Sequence, residues 1–274
     1  MTRTRRFLGG LAFGYANQAL VTLVGLWLTA FLLTRLGQAD YGLWLVGTRI
    51  LGYLMLLDLG IVALLPRETA FATGRAGGSV DAQALRELVG RTTRLVLWQM
   101  PLVALAGTIV WLALPADWEA LRNPLGIVMA VFVLQFPLRV LQATLQGLQE
   151  LSFLGGVYTL AWTLGTALTV VLVLAGWGLY ALAVGWSATQ LLSSLLWWTR
   201  LRRKYPGVLL ATLPRFPRRE LKDRLSRSAW ISLSQVAQVL LQGTDLLIVG
   251  KIMGPGAVVP YFCTAKVLTV LGHQ

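Results

Sequence analysis

The chain has 274 residues, of which 56% are hydrophobic and only 13% are charged. A soluble protein of this size needs far more polar surface, so the composition predicts an integral membrane protein. The net charge of +13 would suggest a nucleic-acid partner in a soluble chain, but most basic residues lie in three segments beside predicted membrane spans. This positive-inside pattern argues against nucleic acid and is compatible with binding of membrane lipid headgroups.

Residues able to bind metals or act as nucleophiles are scarce, with one cysteine, Cys263, and one histidine, His273. A zinc site, a disulfide framework and Ser–His or Cys–His catalysis all need more of these side chains. We therefore predict no catalytic residues, no metal and no cofactor, in a protein that is not an enzyme.

The first predicted span runs from about Leu8 to Leu33, since a membrane helix needs ~20 apolar residues. Arginines at positions 3, 5 and 6 precede it, which predicts a cytoplasmic N-terminus. Small and polar residues recur along the span at helical spacing, and Gln18 is the bulkiest of them. This stripe indicates either close helix packing or the wall of a cavity.

The second predicted span, about Tyr41 to Leu65, follows an outer turn at Gly37 and contains a charge well inside it. Arg49 and Tyr53 are four residues apart and share one stripe of a helix. A charge at the bilayer centre costs ~2.5–3.5 kcal/mol on insertion scales, so Arg49 should face a protein interior or a water-filled cavity. Asp58 lies on the opposite face, and we predict for it a structural bond to a neighbouring helix or loop.

A basic connection, Pro66 to Arg94, follows, and its later part, Asp81 to Arg91, predicts a short amphipathic helix on the cytoplasmic surface. The third span is about Leu95 to Leu114, and the fourth begins near Pro124. The fourth span carries polar residues at steps of four and three, all within about 80° of helical arc: Gln135, Arg139, Gln142, Gln146 and Gln149. Arg139 could snorkel to the inner headgroups, but Gln135 is too deep for that explanation.

Spans five and six, Phe153 to Leu174 and Leu179 to Trp198, are joined by a turn without charges. Many tryptophans lie near predicted span ends, among them Trp118, Trp177, Trp197 and Trp198. We interpret them as an aromatic belt at the membrane interfaces rather than as a sugar-stacking cleft.

These spans form a predicted six-helix N-terminal lobe, residues 1–199, which a basic cytoplasmic linker, residues 200–227, separates from the start of a second lobe, residues 228–274. The seventh span, about Ser228 to Val249, carries one polar face: Gln235, Gln238, Gln242 and Asp245. Interhelical hydrogen bonding and a hydrated cavity wall both explain this face. An eighth span begins after Met253.

An internal repeat relates the two lobes. A shift of 217 residues places Arg49 on Lys266 and Gln18 on Gln235. Six helices return the chain to its starting side, so we predict a parallel repeat of the kind that secondary transporters use. Arg49 and Lys266 would then face each other across a central cavity. The predicted fold is an all-α polytopic membrane protein whose second lobe is incomplete, with a full length of about 430 residues by the same doubling.

The stretch around Gly37 to Gly60, with LGQADYGLW and LLDLG, resembles the early signature of oligosaccharide flippases. These form the polysaccharide-transport (Wzx-type) branch of the multidrug/oligosaccharidyl-lipid/polysaccharide exporter superfamily. The resemblance extends to the helix count, the basic N-terminus and the basic linker. It implies a two-lobed transporter of 12 or 14 spans in the bacterial inner membrane. Such a protein moves a polyprenyl-diphosphate-linked oligosaccharide outward for polysaccharide or lipopolysaccharide O-antigen biosynthesis, beside polymerase and glycosyltransferase partners.

The resemblance also implies a site, because cationic residues of helices one, two and eight line the cavity of the related lipid II flippases. Arg49 and Lys266 match helices two and eight. We predict that these two residues, with Arg139, bind the diphosphate through charge-assisted hydrogen bonds. Polar side chains would contact the sugars: Gln18, Tyr53, Gln135, Gln142, Gln235, Gln238 and Gln242. Asp245 is the candidate for coupling to a proton or sodium ion.

Other functions remain open at this point. A cation-coupled multidrug exporter of the same superfamily should have acidic cavity residues, whereas the buried charges here are mostly basic. A membrane glycosyltransferase or ligase should have clustered acids or histidines, but the longest predicted outer loop has nine residues and the chain has no DxD motif. A structural scaffold would tolerate neutralisation of every buried polar group.

Overall fold

The computed structural model describes residues 3–75, 82–209, 213–214 and 218–272, and every regular element in these ranges is helical. Its α-helices are α1 Arg3–Leu54, α2 Ile61–Arg75, α3 Ala82–Leu112, α4 Glu119–Gln135, α5 Arg139–Gly147, α6 Leu151–Leu174, α7 Leu179–Lys204, α8 Arg218–Ile252 and α9 Pro255–Gly272. Short 3-10 turns span Met55–Asp58, Ala116–Trp118 and Phe136–Leu138. The predicted all-α class is confirmed.

The predicted turn between the first two spans is a sharp bend inside α1. Gly37 adopts φ 84° and ψ 168° there, a conformation that glycine reaches without a steric penalty. The bend divides α1 into an N-terminal arm before Gly37 and a C-terminal arm after it. The two arms hold the first and second predicted spans.

The second predicted span does not continue unbroken from Tyr41 to Leu65. The C-terminal arm of α1 ends at Leu54, a 3-10 turn follows, and Leu59 and Gly60 both have positive φ before α2 begins. Glycine suits this break because its φ is positive and because a Cβ on Gly60 would lie 2.8 Å from the carbonyl oxygen of Ser228 in α8.

Two further element predictions need correction. Residues 82–91 of the predicted surface helix are not separate from the third span but form the first turns of α3, while Asp81 itself lies outside the described residues. The fourth span is interrupted by the 3-10 turn around Pro137, because proline has no backbone N–H to continue the helical ladder. The short α5 follows this interruption.

Six segments of the described chain are long and apolar enough to cross a membrane: Leu20–Asp58, Ala82–Leu112, Ala116–Gly147, Leu151–Leu174, Leu179–Lys204 and Ser228–Ile252. The first contains both arms of α1, so the six segments correspond to the first seven predicted spans. The predicted eighth span falls in α9. The protein is therefore a multi-pass membrane protein.

Helices α6 and α7 pack closely through a reciprocal pair of small residues. The hydroxyl of Thr169 donates to the carbonyl oxygen of Gly165, and that of Thr189 donates to Gly185, both at 2.9 Å. Each glycine faces the threonine of the other helix, with no room for a Cβ between them. Small residues at such crossings let membrane helices approach each other closely.

Candidate functional site

One face of the C-terminal arm of α1 packs against the start of the second predicted lobe. A Cβ on Gly42 would lie 1.9 Å from the carbonyl oxygen of Pro255 in α9, and Val46 lies against Gly250 in α8. Further along, the hydroxyls of Tyr53 and Thr244 are 2.7 Å apart. We call this contact surface between α1 and helices α8 and α9 the seam.

Arg49 lies on the seam face of α1. Helical spacing puts it between Val46 and Tyr53, within about 60° of arc of both. Its side chain is half-buried, and no hydrogen bond or ion pair joins it to any of the described residues. An uncompensated charge is unfavourable inside a membrane protein, so such a residue usually serves a ligand or a pathway.

Asp245 lies on α8 beside Thr244 and contacts α9. The hydroxyl of Tyr261 donates to its Oδ2, while its Oδ1 is buried without a hydrogen-bond partner in the described structure. The carboxylate thus couples the first two helices of the second predicted lobe. Its proposed role in ion coupling stays a prediction.

Arg139 lies against a buried acid. Its Nη2 lies 3.8 Å from Oδ2 of Asp58, whose side chain is only 1% exposed, and its guanidinium lies over the Phe136 ring. Gln99 donates to the backbone carbonyl of Asp58 at 3.1 Å. The predicted structural bond of Asp58 is confirmed, and its partner is one of the three cations predicted to bind diphosphate.

The predicted glutamines do not share one environment. Gln135 is buried and donates to Ser194 Oγ at 2.9 Å, which ties α4 to α7. Gln142 points into a cavity described below, and on α8 Gln235 is half-buried whereas Gln238 is exposed. The side chains of Gln18, Gln242 and Lys266 lie outside the described residues.

A cavity of about 490 Å³ lies among α1, α5, α6 and α7. We call it the aromatic cavity, because five aromatic side chains line it: Trp44, Tyr158, Trp162, Trp186 and Trp197. Polar groups contributed by Gln142, Gln190, Thr166 and Ser193 lie between the rings. None of the described residues that line the cavity is charged.

The interpretation of the tryptophans as an interfacial belt is wrong for two of the four residues. Trp118 is buried, and Trp197 lines the aromatic cavity with its Nε1 buried and unbonded among the described residues. Trp177 and Trp198 are exposed, as a belt requires.

A sequence signal for the cavity existed in the helical spacing. On α7, four residues that line the cavity recur at steps of four, three and four: Trp186, Gln190, Ser193 and Trp197. On α6, Tyr158, Trp162 and Thr166 recur at steps of four. Such spacing places each set on one helix face.

Two groups of ion pairs join helix ends in and beside the basic segments. Glu150, in the turn before α6, accepts hydrogen bonds from Arg200 at 2.7 Å, Tyr205 at 2.9 Å and Lys204. Burial alone would raise the pKa of Glu150, but the hydrogen bonds from these three partners lower it to about 2. Arg224 of α8 is buried and contacts Glu68 of α2 at 2.7 Å.

Comparison with known proteins gives two matches. The family described as "Polysaccharide biosynthesis protein" matches residues 82–273. No curated protein matches the chain. Among solved structures, the chain is similar to a multidrug resistance MATE family transporter of the MOP superfamily in its inward-facing conformation, with a TM-score of 0.60 and 18% identity over 87% of this chain. The chain spans 58% of that transporter's length, and at this identity the similarity shows a shared fold alone.

Proposed function

We propose that this chain, which belongs to the polysaccharide biosynthesis protein family and shares its fold with a MATE family transporter, flips a polyprenyl-diphosphate-linked oligosaccharide across the bacterial inner membrane. Transport would run from the cytoplasmic to the outer leaflet and supply polysaccharide or O-antigen-type assembly. The observation that carries the proposal is Arg49, a half-buried cation on the seam without a partner among the described residues.

The chemistry of a diphosphate fits this position. Guanidinium groups bind phosphate oxygens through two parallel charge-assisted hydrogen bonds, which are stronger than hydrogen bonds between neutral groups. The seam lies where two lobes would meet, and alternating access turns such a midline site from one side of the membrane to the other. The internal repeat adds Lys266 on α9 as the second cation of the proposed site.

Arg139 has no place in the proposed diphosphate site. Its charge is shared with Asp58, so a phosphate there would compete with a carboxylate already within 3.8 Å. We retain Arg49 and Lys266 for the diphosphate, the predicted polar side chains of α1 and α8 for the glycan, and Asp245 for ion coupling.

The test is transport of a polyprenyl-diphosphate-linked oligosaccharide by the full-length protein in proteoliposomes. Arg49→Ala should lower transport by about tenfold or more, because a hydrogen bond to a charged group contributes ~1.5–3 kcal/mol. Arg49→Lys should keep part of the activity, since it retains the charge but not the planar fork. The matched control is Arg35→Ala, which removes an exposed arginine from the same helix and should leave transport unchanged.

Wild-type transport by Arg49→Ala at equal expression would refute the role of Arg49. A cationic dye in the same vesicles separates the alternative function. Transport of the dye without transport of the lipid-linked oligosaccharide would favour the multidrug exporter over the flippase.

A further inference from the structure

The aromatic cavity is separate from the seam. Trp44 and Arg49 both lie on the C-terminal arm of α1, but five residues turn the helix through about 140° and advance it ~7.5 Å. Trp44 therefore faces α6 and α7, whereas Arg49 faces α8. A group bound in the cavity would not lie on the proposed diphosphate site.

The cavity offers hydrogen-bonding groups that the protein itself does not use. The amides of Gln142 and Gln190 line the cavity and make no hydrogen bond within the described structure. The hydroxyls of Thr169 and Thr189 donate to backbone carbonyls, which leaves their lone pairs free to accept.

The lining selects for a particular ligand chemistry. Its volume falls within the ~300–1,000 Å³ of small-molecule sites, which combine apolar walls with a few polar groups. An acyl chain or a wholly apolar compound would leave the half-buried amide of Gln190 without a partner, at a cost in binding free energy. An ionic ligand would find no opposite charge among the lining residues. A sugar ring combines an apolar C–H face with a rim of hydroxyls, so it can use the aromatic faces and the polar groups together.

We infer that the aromatic cavity is a carbohydrate site that binds neutral sugar rings between the tryptophans of α6 and α7. Trp162 and Trp186 supply the stacking surfaces, while Gln142 and Gln190 bond the hydroxyls. This inference rests on the proposed flippase function, in which the cavity would hold part of the glycan while the seam holds the diphosphate.

The experiment measures sugar binding directly and does not depend on transport. The full-length protein is placed in lipid nanodiscs, because alkyl-glycoside detergents carry sugars themselves. Tryptophan fluorescence is then titrated with a panel of unlinked neutral oligosaccharides, including maltotriose and chitotriose, with a sugar-free polyprenyl diphosphate and with a cationic dye. At least one neutral oligosaccharide should cause a saturable change.

Variants locate the binding. Trp186→Ala should weaken oligosaccharide binding about 2- to 12-fold, the range that one aromatic contact provides, and Trp186→Phe should keep most of it. Gln142→Ala tests the same cavity at an exposed side chain where misfolding is not a concern. The control Trp98→Ala removes an indole that is 75% exposed on α3 and should change nothing.

The outcomes separate this inference from the proposed function. Weaker oligosaccharide binding in Trp186→Ala and Gln142→Ala, with binding of the sugar-free diphosphate intact, supports the carbohydrate site. The absence of saturable binding by every oligosaccharide overturns it, as does oligosaccharide binding that neither variant weakens, or a cavity that prefers the dye. Arg49→Ala should weaken binding of the sugar-free diphosphate and leave oligosaccharide binding intact. Oligosaccharide binding therefore tests the cavity even if the diphosphate does not bind at the seam.

Discussion

The glycines that join α6 to α7 allow a sharp test of the packing that shapes the aromatic cavity. A Cβ added at Gly165 would lie 1.8 Å from Thr189 Oγ1 and 2.9 Å from the carbonyl oxygen of Gly185. The same two distances recur at Gly185, against Thr169 Oγ1 and the carbonyl oxygen of Gly165. Alanine at either glycine therefore meets both a side chain and a backbone.

The expected cost of Gly165→Ala follows from these contacts. Thr189 must rotate and give up its 2.9 Å hydrogen bond to Gly185, which contributes ~0.5–1.5 kcal/mol. The backbone contact remains after that rotation, and overpacking of this kind costs ~1–3 kcal/mol. Alanine regains ~1 kcal/mol over glycine through its helix propensity. We therefore expect a net destabilisation of about 1–3 kcal/mol.

The assay is denaturant or thermal unfolding of the purified protein, with size-exclusion chromatography as the readout of the folded fraction. The matched control is Gly155→Ala in the same helix, where no atom lies within 4 Å of the new Cβ. It should be neutral or stabilising by up to ~1 kcal/mol. The double variant Gly165→Ala/Thr189→Ala should recover part of the loss, because the hydroxyl that clashes is gone. Equal stability of Gly165→Ala and Gly155→Ala would refute the close packing of α6 on α7.

Two further predictions concern ion pairs. Asp58→Asn leaves Arg139 without its carboxylate. Breaking a buried pair costs ~3–5 kcal/mol of stability, and because Arg139 is 25% exposed we expect a loss near the lower end of that range. If the unfolding free energies lost in Asp58→Asn and Arg139→Gln simply add in the double variant, the pairing is contradicted. Glu150, with its pKa lowered from 4.5 to about 2, stabilises the fold fully above pH 4.5, and this contribution disappears as the pH falls through 2. An unfolding series against pH should show the loss in the wild type and not in Glu150→Gln, so identical acid dependence of both would argue against it.

Hydropathy predicted most of the helices because apolar length is a local property of the chain. It placed the bend at Gly37 correctly, where glycine and the polar residues after it interrupt an apolar run. It did not predict the break at Leu59 and Gly60, where the chain passes close to the carbonyl oxygen of Ser228 in α8. Gly60 and Ser228 are far apart in the sequence, so hydropathy alone predicts one helix for one continuous apolar run.

The candidate site likewise has one part that the sequence predicts and one part that depends on the fold. Periodicity alone placed Arg49 and Tyr53 on one face of α1, and the hydrogen bond of Tyr53 to Thr244 shows that this face meets α8. The aromatic cavity depends instead on which helices are neighbours. Trp197 lies near a helix end, where an interfacial role is the ordinary interpretation, and only the position of α5 and α6 beside α7 turns it into a cavity residue.

The contrast between Arg49 and Arg139 shows how far a buried charge alone can support a functional argument. Both are arginines of predicted membrane helices, and both were predicted to bind diphosphate. Arg139 has Asp58 within 3.8 Å and the Phe136 ring beneath it, so the fold itself accounts for its charge. Arg49 has neither an acid nor a hydrogen bond among the described residues, although it lies half-buried between two packed contacts of the seam. A structural role requires a partner that compensates the charge, and a transport role requires that this partner be the substrate. The sequence cannot distinguish the two arginines because the compensating acid of Arg139 is 81 residues away, and only the folded chain brings the two together.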